Sequence, residues 1–167
     1  MRLIRPWRNM LLTVHIATAA GAIGADLGLL AMGMAVLSGT DPAAIYPAAH
    51  LVASSVMAPL AIAAVVTGLW LGLGTSWGVL RYWWTAIKLV ISVALATALI
   101  LVLIPSLAAS ADAALSGTAF ADARRVLLAV TPIVATSLLL VNVVLAVFKP
   151  GWRLRGLVAA DAAESRQ

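Results

Sequence analysis

The stretch "MLLTVHIATAAGAIGADLGLLAMGMAVL" (residues 10–37) decides the fold, and only His15 and Asp26 interrupt it with ionisable groups. A helix needs about 20 mostly apolar residues to cross a hydrocarbon core of about 30 Å. The run is therefore long enough to span a membrane. Its composition also explains its neighbours: 63% of the chain is hydrophobic and 10% charged, with a mean hydropathy of +1.08. Soluble domains are about 45–50% apolar and about 25% charged.

Three further runs meet the same length. The second span is placed at 48–73, inside an uncharged interval from 42 to 80. The third is placed at 83–105, and the fourth at 126–148 between Arg125 and Lys149. Backbone groups in lipid must satisfy one another, so these are helices. The unbroken apolar runs do not alternate as the strands of an outer-membrane barrel do. Connections are expected at "SGTDPAAIYP" (38–47), at "GTSWGVLRY" (74–82) and at "PSLAASADAALSGTAFADARR" (105–125), which has room for a short interfacial helix. Interior prolines at Pro59 and Pro132 predict kinks.

The expected fold is all-α: a single integral membrane domain over residues 1–167, built as a four-helix antiparallel transmembrane bundle with both termini cytoplasmic. The orientation comes from charge. Nine of the eleven Lys and Arg residues fall on one side of the membrane: Arg2, Arg5, Arg8, Arg81, Lys88, Lys149, Arg153, Arg155 and Arg166. The other side holds only Arg124 and Arg125. The positive-inside rule makes the first side cytoplasmic. Trp7, Trp77, Trp83, Trp84 and Trp152 fall near the inner boundary and Tyr46 near the outer one, as interfacial anchors do. The Arg- and Ala-rich composition suggests a bacterial inner-membrane protein. A cleaved signal peptide ending near Gly24 or Ala25 is the alternative, but residues 27–37 carry the apolar run across that site.

The net charge of +5 does not point to nucleic acid, because the basic residues flank the spans instead of lining one patch. "KPGWRLRGL" (149–157) suits the anionic inner leaflet. The absence of cysteine removes disulfides, thiolate metal sites and Cys nucleophiles. There is no Gly-x-Ser-x-Gly, HExxH, Walker loop or Rossmann fingerprint, and the chain is not expected to be an enzyme.

The polar residues inside the spans carry the functional reading. His15 and Asp26 lie eleven residues apart, three turns, and share a face. Gly21, Gly24 and Gly28 form a small-residue stripe suited to close helix packing. If the helices alternate in direction, two polar layers emerge. The inner one holds His15, Thr67, Lys88 and Asn142, and the outer one Asp26, His50, Ser54 and Thr136. Intramembrane acids usually face a cavity or the bundle interior, so Asp26 is a candidate proton- or cation-linked group with His50 as neighbour. His15, Lys88 and Asn142 are further candidates, although Lys88 can snorkel and Asn142 can simply bond a neighbouring helix. His50, Met57, Met32 and Met34 are ligand types that suit Cu(I), although methionines commonly fill cores. Two histidines also raise b-type haem. His15 and His50 sit at opposite membrane faces, so one haem would need two protomers.

The segments "LLTVHIATAAGAIGADLGLLAMG" (11–33), "HLVASSVMAPLAIAAVVTGLWLGLG" (50–74) and "RYWWTAIKLVISVALATALIL" (81–101) resemble a family of uncharacterised bacterial integral membrane proteins. They are more distantly similar to the membrane part of copper-resistance D proteins. The first resemblance implies no activity. The second implies copper handling, with His15 as the best positional match.

Three functions follow as expectations. The first is proton- or cation-linked transport of a small solute. The second is a non-catalytic membrane subunit that assembles, as a homodimer or in a larger complex, through the small-residue face. The third is copper binding.

Overall fold

A computed structural model describes residues 4–74, 83–117 and 122–148. These residues form six α-helices and two π-helical turns, with no strand among them. Helix α1 (Arg5–Leu37) is the first span. Helices α2 (Pro42–Val52) and α3 (Ala58–Gly74), joined by a π turn at Ala53–Met57, make the second. Helices α4 (Trp83–Ala98) and α5 (Ile104–Leu115), joined by a π turn at Leu99–Leu103, make the third. Helix α6 (Asp122–Phe148) is the fourth. All four are long and apolar enough to cross a membrane. The first three run 33 residues each, about 50 Å at 1.5 Å per residue. That exceeds the hydrocarbon thickness, so their ends reach the headgroups or the helices tilt.

All four helices outrun the expected spans, the first from Arg5 and the fourth from Asp122, and the second and third do so for local reasons. The second begins at Pro42 rather than near residue 48. Asp41 caps it by accepting a 3.0 Å hydrogen bond from the Ala43 amide, and Pro42 occupies a first-turn position where no amide is needed. The chain reaches Asp41 through a tight helix end. Thr40 N–H bonds the Ala35 carbonyl, Gly39 N–H bonds the Val36 carbonyl, and Gly39 takes φ 99°, a conformation that favours glycine.

The third span continues through Pro105 to Leu115, where a loop was expected. A proline lacks an amide hydrogen, and its ring crowds the carbonyl four residues back. Here the helix widens just before the ring. Ile104 N–H bonds the Leu99 carbonyl, five residues back, and Ala58 N–H bonds the Ala53 carbonyl in the same way before Pro59. Each π turn lets the helix pass its proline without ending. The two turns touch each other, and Ala53, Met57, Leu99 and Leu103 are buried around them.

The spans close into a ring. Helix α1 packs on α3 and α6, α2 on α5, α3 on α4, and α4 on α6. Leu29, Val36, Tyr46, Ala49, Leu107 and Leu128 form the core of one half. Tyr46, expected at the outer interface, is buried in that core at 2% exposure. The outward surface is aliphatic: Val90, Leu101, Val102 and Val147 are each more than 60% exposed. Trp7 and Trp83 are also exposed, as boundary anchors would be. The expected connection at 74–82, apart from Gly74, and the basic segment at 149–157 lie outside the described residues.

Candidate functional site: two polar layers in the bundle

Like Ser110, Asp26 is fully buried at 0% exposure. It stands on the buried stripe of α1 with Ala22, Leu29 and Val36. Thr136 on α6 donates a 2.6 Å hydrogen bond to Asp26 Oδ2, while Oδ1 has no partner. The other two members of the expected outer layer do not join them. The Ser54 hydroxyl donates to the carbonyl of His50, 2.8 Å away, and so is spent on its own helix. The His50 ring, half-buried, makes no hydrogen bond among the described residues.

His15 anchors a second layer. Its Nδ1 lies 2.9 Å from the Ala64 carbonyl and 3.1 Å from Thr67 Oγ1. A carbonyl can only accept, so Nδ1 carries the proton and Nε2 is the basic nitrogen. The Thr67 hydroxyl in turn donates to the Ala63 carbonyl at 2.6 Å. Gly68 makes room for the ring. A Cβ at Gly68 would stand 2.9 Å from His15 Cε1, closer than real Cβ atoms come.

Lys88 lies within Coulombic range of His15. It shares a face of α4 with Thr85 and Ser92, at spacings of three and four residues. Ser92 Oγ accepts a 2.9 Å hydrogen bond from Asn142 Nδ2 on α6. Asn142 Oδ1 and Thr85 Oγ1 are both buried without a partner. The structure thus joins His15 to Thr67, brings Lys88 near them, and ties Asn142 to the same helix that carries Lys88. Sequence reasoning missed Gly68, Thr85 and Ser92. The signal for the last two was present in the i, i+3, i+7 spacing of Thr85, Lys88 and Ser92.

The glycine stripe divides. A Cβ at Gly21 would meet Leu60 at 3.1 Å, so this glycine packs against α3. A Cβ at Gly24 or Gly28 would meet nothing within 4 Å. A close approach between α1 and α6 is made elsewhere, at Gly33, where a Cβ would lie 3.0 Å from Ala129 Cα.

The residues proposed for copper are scattered in character. Met57 belongs to the apolar core, Met32 packs partly buried against that core, and Met34 is 49% exposed. Among the described residues no three His, Cys, Asp or Glu side chains group as a metal site. For haem, His15 stands level with Thr67, and His50 lies 17 residues away along the second span, about 25 Å by helical rise. The two histidines of one chain cannot grip one haem at that separation. An apolar hollow of about 10 Å³ opens between Leu29, Gly33, Tyr46, Leu103 and Pro132, with no charged group in its lining. No protein-family model, no curated protein and no solved structure matches the chain.

Proposed function

We propose that this chain is a small multi-pass protein of a bacterial inner membrane that links movement of a small solute to protonation of Asp26. In this reading the bundle is antiparallel and both termini face the cytoplasm. Four pairings support the antiparallel order. Along α1, His15 meets Thr67, Gly21 meets Leu60, and on the other side Asp26 meets Thr136 and Gly33 meets Ala129. Rising numbers on α1 meet falling numbers on both neighbours. The distribution of Lys and Arg supports the orientation.

The observation that carries the reading is the half-satisfied carboxyl group of Asp26. A structural tie to Thr136 needs only one oxygen, and the second is left without a partner in the bundle interior. Intramembrane acids that face the interior mark proton and ion pathways. The test is proton entry into liposomes holding the purified protein, under an imposed pH gradient in chloride medium, read with an entrapped pH-sensitive dye. The native protein speeds entry, and Asp26→Asn returns it to the rate of empty vesicles. Equal rates for the two proteins would overturn the reading.

A second reading is favoured by Gly24 and Gly28. Both belong to the small-residue stripe, and neither has a neighbour within 4 Å at its Cβ position. Such a face suits close approach of another transmembrane helix. Under this reading the chain is a subunit or scaffold, Asp26→Asn is nearly silent, and Gly24→Leu disrupts assembly measured by light scattering in detergent.

A further inference from the structure

The layer around Lys88 contains more hydrogen-bonding capacity than the bundle uses. Lys88 is half-buried five residues into α4, while the residues beside it that face outward are Trp83, Ile87 and Val90. Its own face carries Thr85 and Ser92, which are turned toward the bundle. Among the described residues it has no salt bridge or hydrogen bond. Thr85 Oγ1, one turn before Lys88, is buried and unpartnered, and so is Oδ1 of Asn142, which bonds Ser92 one turn after Lys88. The Asn142 amide has a simple remedy. If it turns by half a rotation, Ser92 donates to Oδ1 and both Nδ2 hydrogens become free. The layer then offers one ammonium, one hydroxyl and one amide as donors, with no fixed negative charge beside them among the described residues. Asp26 is held by Thr136, six residues before Asn142 on α6.

We infer that this half of the bundle holds a binding site for a small monovalent anion, seated on the Lys88 ammonium with Thr85 and Asn142 as hydrogen-bond donors. One fixed positive charge calls for one negative charge, because a dianion would leave uncompensated charge in a low-dielectric interior. The same chemistry could be met by the phosphate of an anionic lipid reached by a snorkelling Lys88. As the identity of a carried solute, the anion rests on the transport reading above. As a binding site, it stands on separate residues.

The probe is chloride. The unfolding midpoint of the purified full chain in dodecylmaltoside is measured in potassium chloride against potassium gluconate at equal ionic strength. Saturating chloride raises the midpoint by about 5 °C or more. Lys88→Met abolishes the rise, and Lys88→Arg retains part of it. Thr85→Val keeps the lysine and shifts the half-effective chloride concentration upward about tenfold, which preserves the test if Lys88→Met does not fold. No difference between chloride and gluconate overturns the site. So does stabilisation that appears only when phosphatidylglycerol is added to phosphatidylcholine vesicles and is lost in Lys88→Met, because Lys88 then serves a lipid phosphate. Chloride stabilisation lost in Lys88→Met without any proton-coupled flux supports the site and removes the transport reading instead.

Discussion

Thr136 reaches Asp26 across 110 positions of sequence and donates a 2.6 Å hydrogen bond to Oδ2, leaving Oδ1 with no partner. Helices α1 and α6 are thereby joined at the only acid inside the first span. The bond meets half of what the carboxyl group requires, which separates its structural role from its proposed proton role. Thr136→Val should lower stability by about 0.5–2 kcal/mol, the range of a hydrogen bond between helices in lipid. Asp26→Asn keeps an oxygen for Thr136 and should stay within about 0.5 kcal/mol of the native protein. Denaturation in mixed micelles reads both, and a large loss in Asp26→Asn would show that the native contact needs the carboxyl group itself.

Gly68 and His15 form a fitted pair. An alanine at Gly68 places its Cβ 2.9 Å from His15 Cε1 and must push the ring away from Ala64 and Thr67. Gly68→Ala should cost about 1–3 kcal/mol, as overpacked sites do. In a His15→Ala background the same change should cost under about 0.5 kcal/mol, because nothing remains for the methyl to strike. Equal costs in the two backgrounds would mean that the glycine serves something other than the ring.

Gly33 and Gly24 predict opposite outcomes on one helix. At Gly33 the added methyl meets backbone, Ala129 Cα at 3.0 Å, which cannot move without shifting α6. Gly33→Ala should therefore destabilise the bundle, by about 1–3 kcal/mol. Because Asp26 and Thr136 lie seven residues along each helix from that contact, it should also slow the proton entry assigned to Asp26. At Gly24 the methyl meets open space. Gly24→Ala should leave monomer stability within about 0.5 kcal/mol, so any loss seen only at high protein-to-detergent ratio reports contact with a second helix.

His50 and Met34 should be dispensable for folding. Met34 is 49% exposed, and the His50 ring has no hydrogen bond among the described residues. Each alanine variant should shift stability by no more than about 0.5 kcal/mol. Binding of Cu(I) to the native protein, lost in His50→Ala, would restore the copper reading.

The spans were legible in the sequence because partition between water and lipid depends on composition over some twenty residues, which needs no knowledge of neighbours. The four apolar runs and their basic flanks follow from that alone. Helical periodicity is local and puts His15 and Asp26 three turns apart on α1, but their partners stand on different neighbours, Thr67 on α3 and Thr136 on α6. The end of the third helix was not legible in this way. Pro105 reads as a stop, and only the wider turn at Leu99–Leu103, packed against the matching turn at Ala53–Met57, carries the chain past it. The partners of the polar groups were likewise decided by tertiary structure. Which face each helix turns inward, and at what height, depends on how side chains interlock across the ring. That choice sends Thr136 to Asp26, Thr67 to His15 and Asn142 to Ser92, and leaves Ser54 on its own backbone.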